Sequence, residues 1–134
     1  AAFVGDHQIS VFNNNVVADA HGRLIFIVPD DINEVMVYDF TTGQVTEPYD
    51  KLLAETKPVT AAEGLAQLLP DGGLFIEETE SGRHLRFTKN RLLWSRINDY
   101  DDERIGLVSW SRYMTEEVAL PLRAIANRKC PALG

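Results

Sequence analysis

EVMVYDFTTGQVTEPY (residues 34–49) and RHLRFTKNRLLWSRI (residues 83–97) are written to one plan: an alternating strand, a tight polar turn, and a second strand carrying an aromatic. Side chains of period two belong to strands, and Val, Tyr, Phe and Trp dominate these runs. In the first of them Tyr38 and Phe40 precede the turn and Val45 follows it, with Gly43 placed to supply the positive φ such turns often need.

The same rhythm extends outward in both directions. HQISVF, RLIFIV, GLFIEE and NEVMVYDF are further β-type runs, separated by the turn signals DAHGR, TTGQ, PDGG, ESGR and TKN. LAQLL and LFIEE form a second hairpin around Pro70, Asp71 and Gly72. Each of the two master hairpins is preceded by another strand pair, so a unit recurs after roughly 50 residues, the range of four-stranded propeller blades. A sandwich of similar strands fits the same periodicity. Helical character is confined to YDKLLAET (49–56) and to TEEVALPLRAIANRK (115–129). The second has acidic residues early and basic ones late, as the helix dipole favours, and Pro121 predicts a kink or a start at that residue. The expected fold is therefore all-β: antiparallel β-meanders corresponding to about two propeller blades plus part of a third, with a short C-terminal helical segment. Residues 1–134 read as one partial domain, with blade-like units at about 6–50 and 59–98 and a partial unit with the C-terminal segment at 99–134.

Composition narrows the partners. Twenty acidic residues against 13 basic ones give a formal charge of −7, which repels a phosphate backbone and excludes nucleic acid as the expected partner. With one cysteine, Cys130, the chain forms no internal disulfide and no multi-thiolate metal site of its own. No apolar run approaches a membrane span. The chain starts at Ala1 without a methionine, which a cleaved signal peptide or excision from a longer chain would each explain.

HQISVFNNN, MVYDFTTGQV, LLPDGGLFIEE and LLWSRIN together resemble the arylsulfotransferase-like β-propeller family, over about residues 6–113. In that family a histidine opens an alternating strand, a "vFdNg"-type element follows, and then a "v.eYd..tG.v" hairpin; SVFNNN and MVYDFTTGQV stand in those places. The resemblance implies transfer of a sulfuryl group from an aryl sulfate to a phenol, with histidines and an arginine binding the group. It implies a catalytic role for His7 and a substrate contact from Arg83; Asn13 and Glu63 are further candidate substrate contacts, and no metal or cofactor is expected. It also implies a periplasmic or secreted location. Glu63 departs from the pattern, since it stands where the second unit would carry a histidine. A carboxylate cannot form a sulfo-enzyme in the same way, and its charge opposes a sulfate ester. This departure keeps a second reading open: a non-catalytic propeller segment for ligand binding or protein interaction. Two blades and a fraction do not close a propeller of four to eight, so the remaining blades or copies of the same chain are the expected partners.

Each candidate also has a plain structural reading. His7 caps a strand in a polar loop, or it donates to an anion. Asn13 to Asn15 end the strand in an Asx-turn, or they hydrogen-bond a ligand. Alternation in HQISVF places His7, Ile9 and Val11 on one face, which predicts Ile9 and Val11 between sheets and His7 at the channel end. Glu77, Glu78 and Glu80 beside Arg83, His84 and Arg86 read as a solvated hairpin with cross-strand pairs rather than a cation site. NDYDDE (98–103) reads as an acidic loop.

Overall fold

The computed structural model describes residues 1–14, 17–25, 32–60 and 63–129. Asn15, residues 26–28 of the RLIFIV run and Cys130 lie outside the described residues. In chain order the elements are β1 (Ala2–Gly5), β2 (Gln8–Asn13), β3 (Val17–Ala18), β4 (Leu24–Ile25), β5 (Glu34–Asp39), β6 (Val45–Thr46) and α1 (Asp50–Thr56). They continue with β7 (Gly64–Leu68), β8 (Leu74–Glu78), β9 (Arg83–Phe87), β10 (Leu92–Ile97), β11 (Asp99–Asp101), β12 (Arg104–Ile105) and α2 (Glu116–Lys129).

Two four-stranded antiparallel sheets result, in the orders β1-β2-β5-β6 and β7-β8-β9-β10, with two small hairpins, β3-β4 and β11-β12, beside them. The second sheet is an uninterrupted meander. The first is a meander with β3-β4 set between β2 and β5. The mostly antiparallel β-architecture expected from the alternation is therefore present, together with the two helices.

Turn chemistry explains where the strands reverse. Asp39 accepts from the amides of Thr41 (2.8 Å) and Thr42 (3.0 Å) and from Gln8 Nε2 (2.8 Å), and Gly43 takes φ 71° to close the corner. Asp19 and Asp71 do the same work, accepting from His21 and Gly73 amides at 2.8 and 2.9 Å. Each of these carboxyls lies below the ordinary value of 3.8. For Asp19 the main cause is the Arg23 amide, for Asp39 the Gln8 side chain and for Asp71 the Gly73 amide. In Asp101 the Arg104 side chain has the same effect. A lowered folded pKa stabilises above the unfolded value and is lost as pH falls through the folded one. Thermal midpoints should therefore stay level from about pH 7 to about pH 5 and drop below about pH 4. A midpoint unchanged at about pH 2.5 would remove these turns from the stability of the fold.

The core lies where one face of the second sheet meets the first sheet and α1. Leu74, Ile76, Leu85 and Phe87 supply the second sheet's side, Val35 the first sheet's, and Tyr49 and Leu53 the α1 segment, all buried. Phe12, Ala66 and Leu68 pack against this cluster. β2 and β7 come close at Gly64, where an added Cβ would run into Thr60 Cγ2 and lie 2.5 Å from Phe12 Cε1. Gly64→Val should therefore cost about 1–3 kcal/mol through overpacking, read as a lower urea midpoint at unchanged slope. No loss at this position would mean that the sheets are not in contact there.

Several expectations are corrected. In β2 the inward face carries Ser10 and Phe12, not Ile9 and Val11: Ser10 is buried, Phe12 packs on the core, and Val11 is exposed. Of the two outcomes expected at Pro121, a start there is excluded: the C-terminal helix begins at Glu116 and runs through it. Thr115 O accepts from the Val118 and Ala119 amides at the helix start, so the ladder is already closed two residues before Pro121, whose ring removes the donor that would have reached Glu117 O. The residues read as an acidic loop instead carry β11, whose Asp101 pairs with Arg104 of β12. Glu77, Glu78 and Arg86 are not solvated, being only 2 to 4% exposed.

Candidate binding face of the second sheet

The antiparallel register pairs Glu77 with His84, Phe75 with Arg86, Gln67 with Phe75, and Trp94 with Arg86. Directly opposed residues share a face, so Gln67, Phe75, Glu77, His84, Arg86 and Trp94 line the side away from the core. Residues 107–115, between β12 and α2, run across that side as a strap.

The strap is held chiefly by its backbone. Glu77 accepts from the Trp110 amide through Oε1 (3.1 Å) and from the Ser111 amide through Oε2 (2.6 Å). Thr79 Oγ1 donates to the same carboxylate at 3.4 Å. Two residues on, Gln67 Nε2 donates to Tyr113 O (3.1 Å) while Gln67 Oε1 accepts from the Tyr113 amide (3.0 Å). The side-chain amide thus stands in for a neighbouring strand. Around these anchors His84 Nε2 lies 2.8 Å from Ser111 Oγ and stacks on Phe75 with centroids 5.6 Å apart. The Arg86 guanidinium sits 4.9 Å from the centre of the Tyr113 ring and bonds Asp71 at 2.6 Å. A cavity of about 270 Å³ remains beside the strap, lined by Glu63, Leu65, Glu77, Thr79, Trp110 and Arg112 among others.

Ser111, His84 and Glu77 have the residue types of a hydrolytic triad, but their geometry differs from one. Glu77 Oε2 lies 3.9 Å from Nε2, the same ring nitrogen that meets Ser111 Oγ. In a triad the carboxylate holds the opposite nitrogen. Both Glu77 oxygens are also occupied by amides. The arrangement grips a chain segment; it does not activate the hydroxyl.

The residues singled out from the sequence lie elsewhere. His7 is exposed in the β1–β2 turn, where its carbonyl accepts from the Phe40 amide at 2.8 Å. Asn13 is paired with Glu34 at the far end of β2, about 20 Å from His7 at strand rise. Arg83 forms an ion pair with buried Glu78 and donates to Thr56 O and Lys57 O (both 3.3 Å) at the end of α1. Exposed Glu63 accepts from Thr60 Oγ1 through its carbonyl, and of the four it alone borders the cavity beside the strap. Gln67, Ser111 and Tyr113 escaped the sequence reading. Gln67 is signalled by polar alternation in β7, which becomes informative once the register is known, whereas Ser111 and Tyr113 lie in the strap and have no such signal. Among the described residues no group of three or more His, Cys, Asp or Glu side chains could hold a metal ion, and no helix is long and apolar enough to cross a membrane. Compared with known proteins, the chain matches no family model, no curated sequence and no solved structure.

Proposed function

We propose that this chain is a non-catalytic segment of a β-propeller-type stack that works by binding and assembly. Two consecutive four-stranded antiparallel sheets, stacked at β2 and β7, support the blade-like reading. The observation that carries the assembly function is the apolar surface beyond the core. Leu92, Leu93, Trp94 and Ile97 of β10, Tyr100 and Ile105 of the β11-β12 hairpin, and Val118, Leu120, Leu122 and Ile125 of α2 are all exposed. Apolar groups repeated along an edge strand and a helix mark a surface that associates, because each exposed edge amide and side chain gains by being covered. The expected partners are further propeller-type units or copies of this chain.

Light scattering should show mass rising with concentration, and a clean monomer at every concentration would remove copies of this chain from the partners. An assay with an aryl sulfate donor and a phenol acceptor should show no turnover. Turnover that is lost in His7→Ala at matched thermal stability would favour sulfuryl transfer instead.

A further inference from the structure

A cleft of about 440 Å³ lies where β1 and β2 of the first sheet meet β7 of the second. Phe12 and Leu68 line it where it adjoins the core, and smaller residues line it beyond them: Ala2, its register partner Ser10, and Ala66. Facing sheets stand about 10 Å apart, and side chains of that size do not fill the gap. The volume falls within the range of about 300–1,000 Å³ that ligand sites occupy.

Both strands that border the cleft stand at the end of their sheet, β1 in the first and β7 in the second. All five residues of β7 line it, Gly64, Ala66 and Leu68 from the core face and Leu65 and Gln67 from the other, as when a cleft follows a free strand edge. Among the described residues, β8 is the one strand paired with β7. The second edge of β7 therefore presents unpaired amides and carbonyls over about 17 Å, a template for an added strand.

A cation stands at the Gly64 end of this edge. Arg112 borders both the cleft and the smaller cavity beside the strap, and Gly64 and Leu65 are the β7 residues that the two share. Of the side chains lining the cleft Arg112 alone is charged, in a chain of formal charge −7. It is exposed, donates to Ser111 O at 2.9 Å, and belongs to none of the ion pairs among the described residues. Every described strand pair is antiparallel. A strand added to β7 in the same sense ends beside Gly64, which brings its terminal carboxylate to Arg112.

We propose that the free edge of β7 is a docking site for the C-terminal end of an extended peptide. The peptide backbone pairs with β7, its apolar side chains enter the gap at Ser10 and Ala66, and its terminal carboxylate meets Arg112. The site lies at the opposite edge of the second sheet from β10, so it goes beyond the assembly reading and does not depend on it.

Calorimetric titration of the full chain with an acetylated tetrapeptide of valine and threonine tests it. The free acid should bind, the C-terminal amide should bind more weakly by about tenfold or more, and Arg112→Met should remove the difference between them. Hydrogen exchange at Gly64–Leu68 should slow when the free acid is added, and a peptide N-methylated along its pairing edge should neither bind nor slow it. The acid–amide and N-methyl comparisons use the wild-type chain alone, so they stand however the variant folds. Equal binding of acid and amide, a difference that persists in Arg112→Met, binding of the N-methylated peptide, or no binding at all would overturn the proposal. Exchange at these amides that slows with protein concentration alone would give the edge to a second copy and overturn it as well.

Discussion

Phe87→Ala should lose about 3–5 kcal/mol of stability, a large share of what a domain of this size possesses. Phe87 is fully buried, and its backbone pairs with Leu74 on one side and Leu92 on the other. Its ring closes the layer formed by Leu74, Ile76 and Leu85 against Leu53 of α1 and Val35 of the first sheet. Truncation leaves a cavity among three elements that are each fixed by separate hydrogen bonds, so collapse around it is incomplete. Phe40 is the control. It is 59% exposed and makes an edge-on contact with Tyr38 at 4.9 Å, and its truncation should stay within about 1 kcal/mol. Urea titrations of both variants, at slopes matching wild type, measure the contrast. Equal losses would place the core somewhere other than between these sheets.

The strand plan was legible because it depends on local chemistry. The Tyr38–Val45 pairing and the turn between them follow from alternation and from Gly43, within eight residues of one another. The facing of β2 was not legible in the same way. Ile9 and Val11 outweigh Ser10 and Phe12 in apolar character, yet Phe12 is drawn inward because Gly64 on the neighbouring sheet leaves room for its ring. That decision belongs to a residue more than fifty positions away. Glu77 shows the same limit from the polar side. Its charge predicts exposure, and only amides 33 and 34 residues further on make its burial tolerable. Sequence patterns report what a residue is; the partner that reverses its usual placement becomes visible only when the sheets are assembled. For the same reason the residues of the strap carried no local signal.

Arg83 separates a ligand-binding role from a structural one. Arg83→Met should destabilise the chain by about 3 kcal/mol, the low end for a broken buried pair because the Arg83 side chain is 26% exposed. The cost falls on Glu78. That carboxylate is 2% exposed, and without the guanidinium it keeps the Val59 amide (2.8 Å) as its main counterpart. The end of α1 would also lose the two bonds that Arg83 gives to the carbonyls of Thr56 and Lys57, keeping only the left-handed Lys57 and its amide bond to Leu53 O as its cap. Removing both charges together should restore most of the loss, since a buried pair replaced by apolar groups is often neutral or better. Arg83→Met with Glu78→Met should therefore be more stable than Arg83→Met alone, with a coupling of about 1–3 kcal/mol in a double-mutant cycle measured by urea unfolding. An arginine held ready for an anion would behave differently. Its removal would leave stability nearly unchanged, show no coupling to Glu78, and weaken anion binding by leaving the nearby carboxylates uncompensated. Additive losses for the two substitutions would therefore release Arg83 from the fold and return it to the candidates for ligand contact.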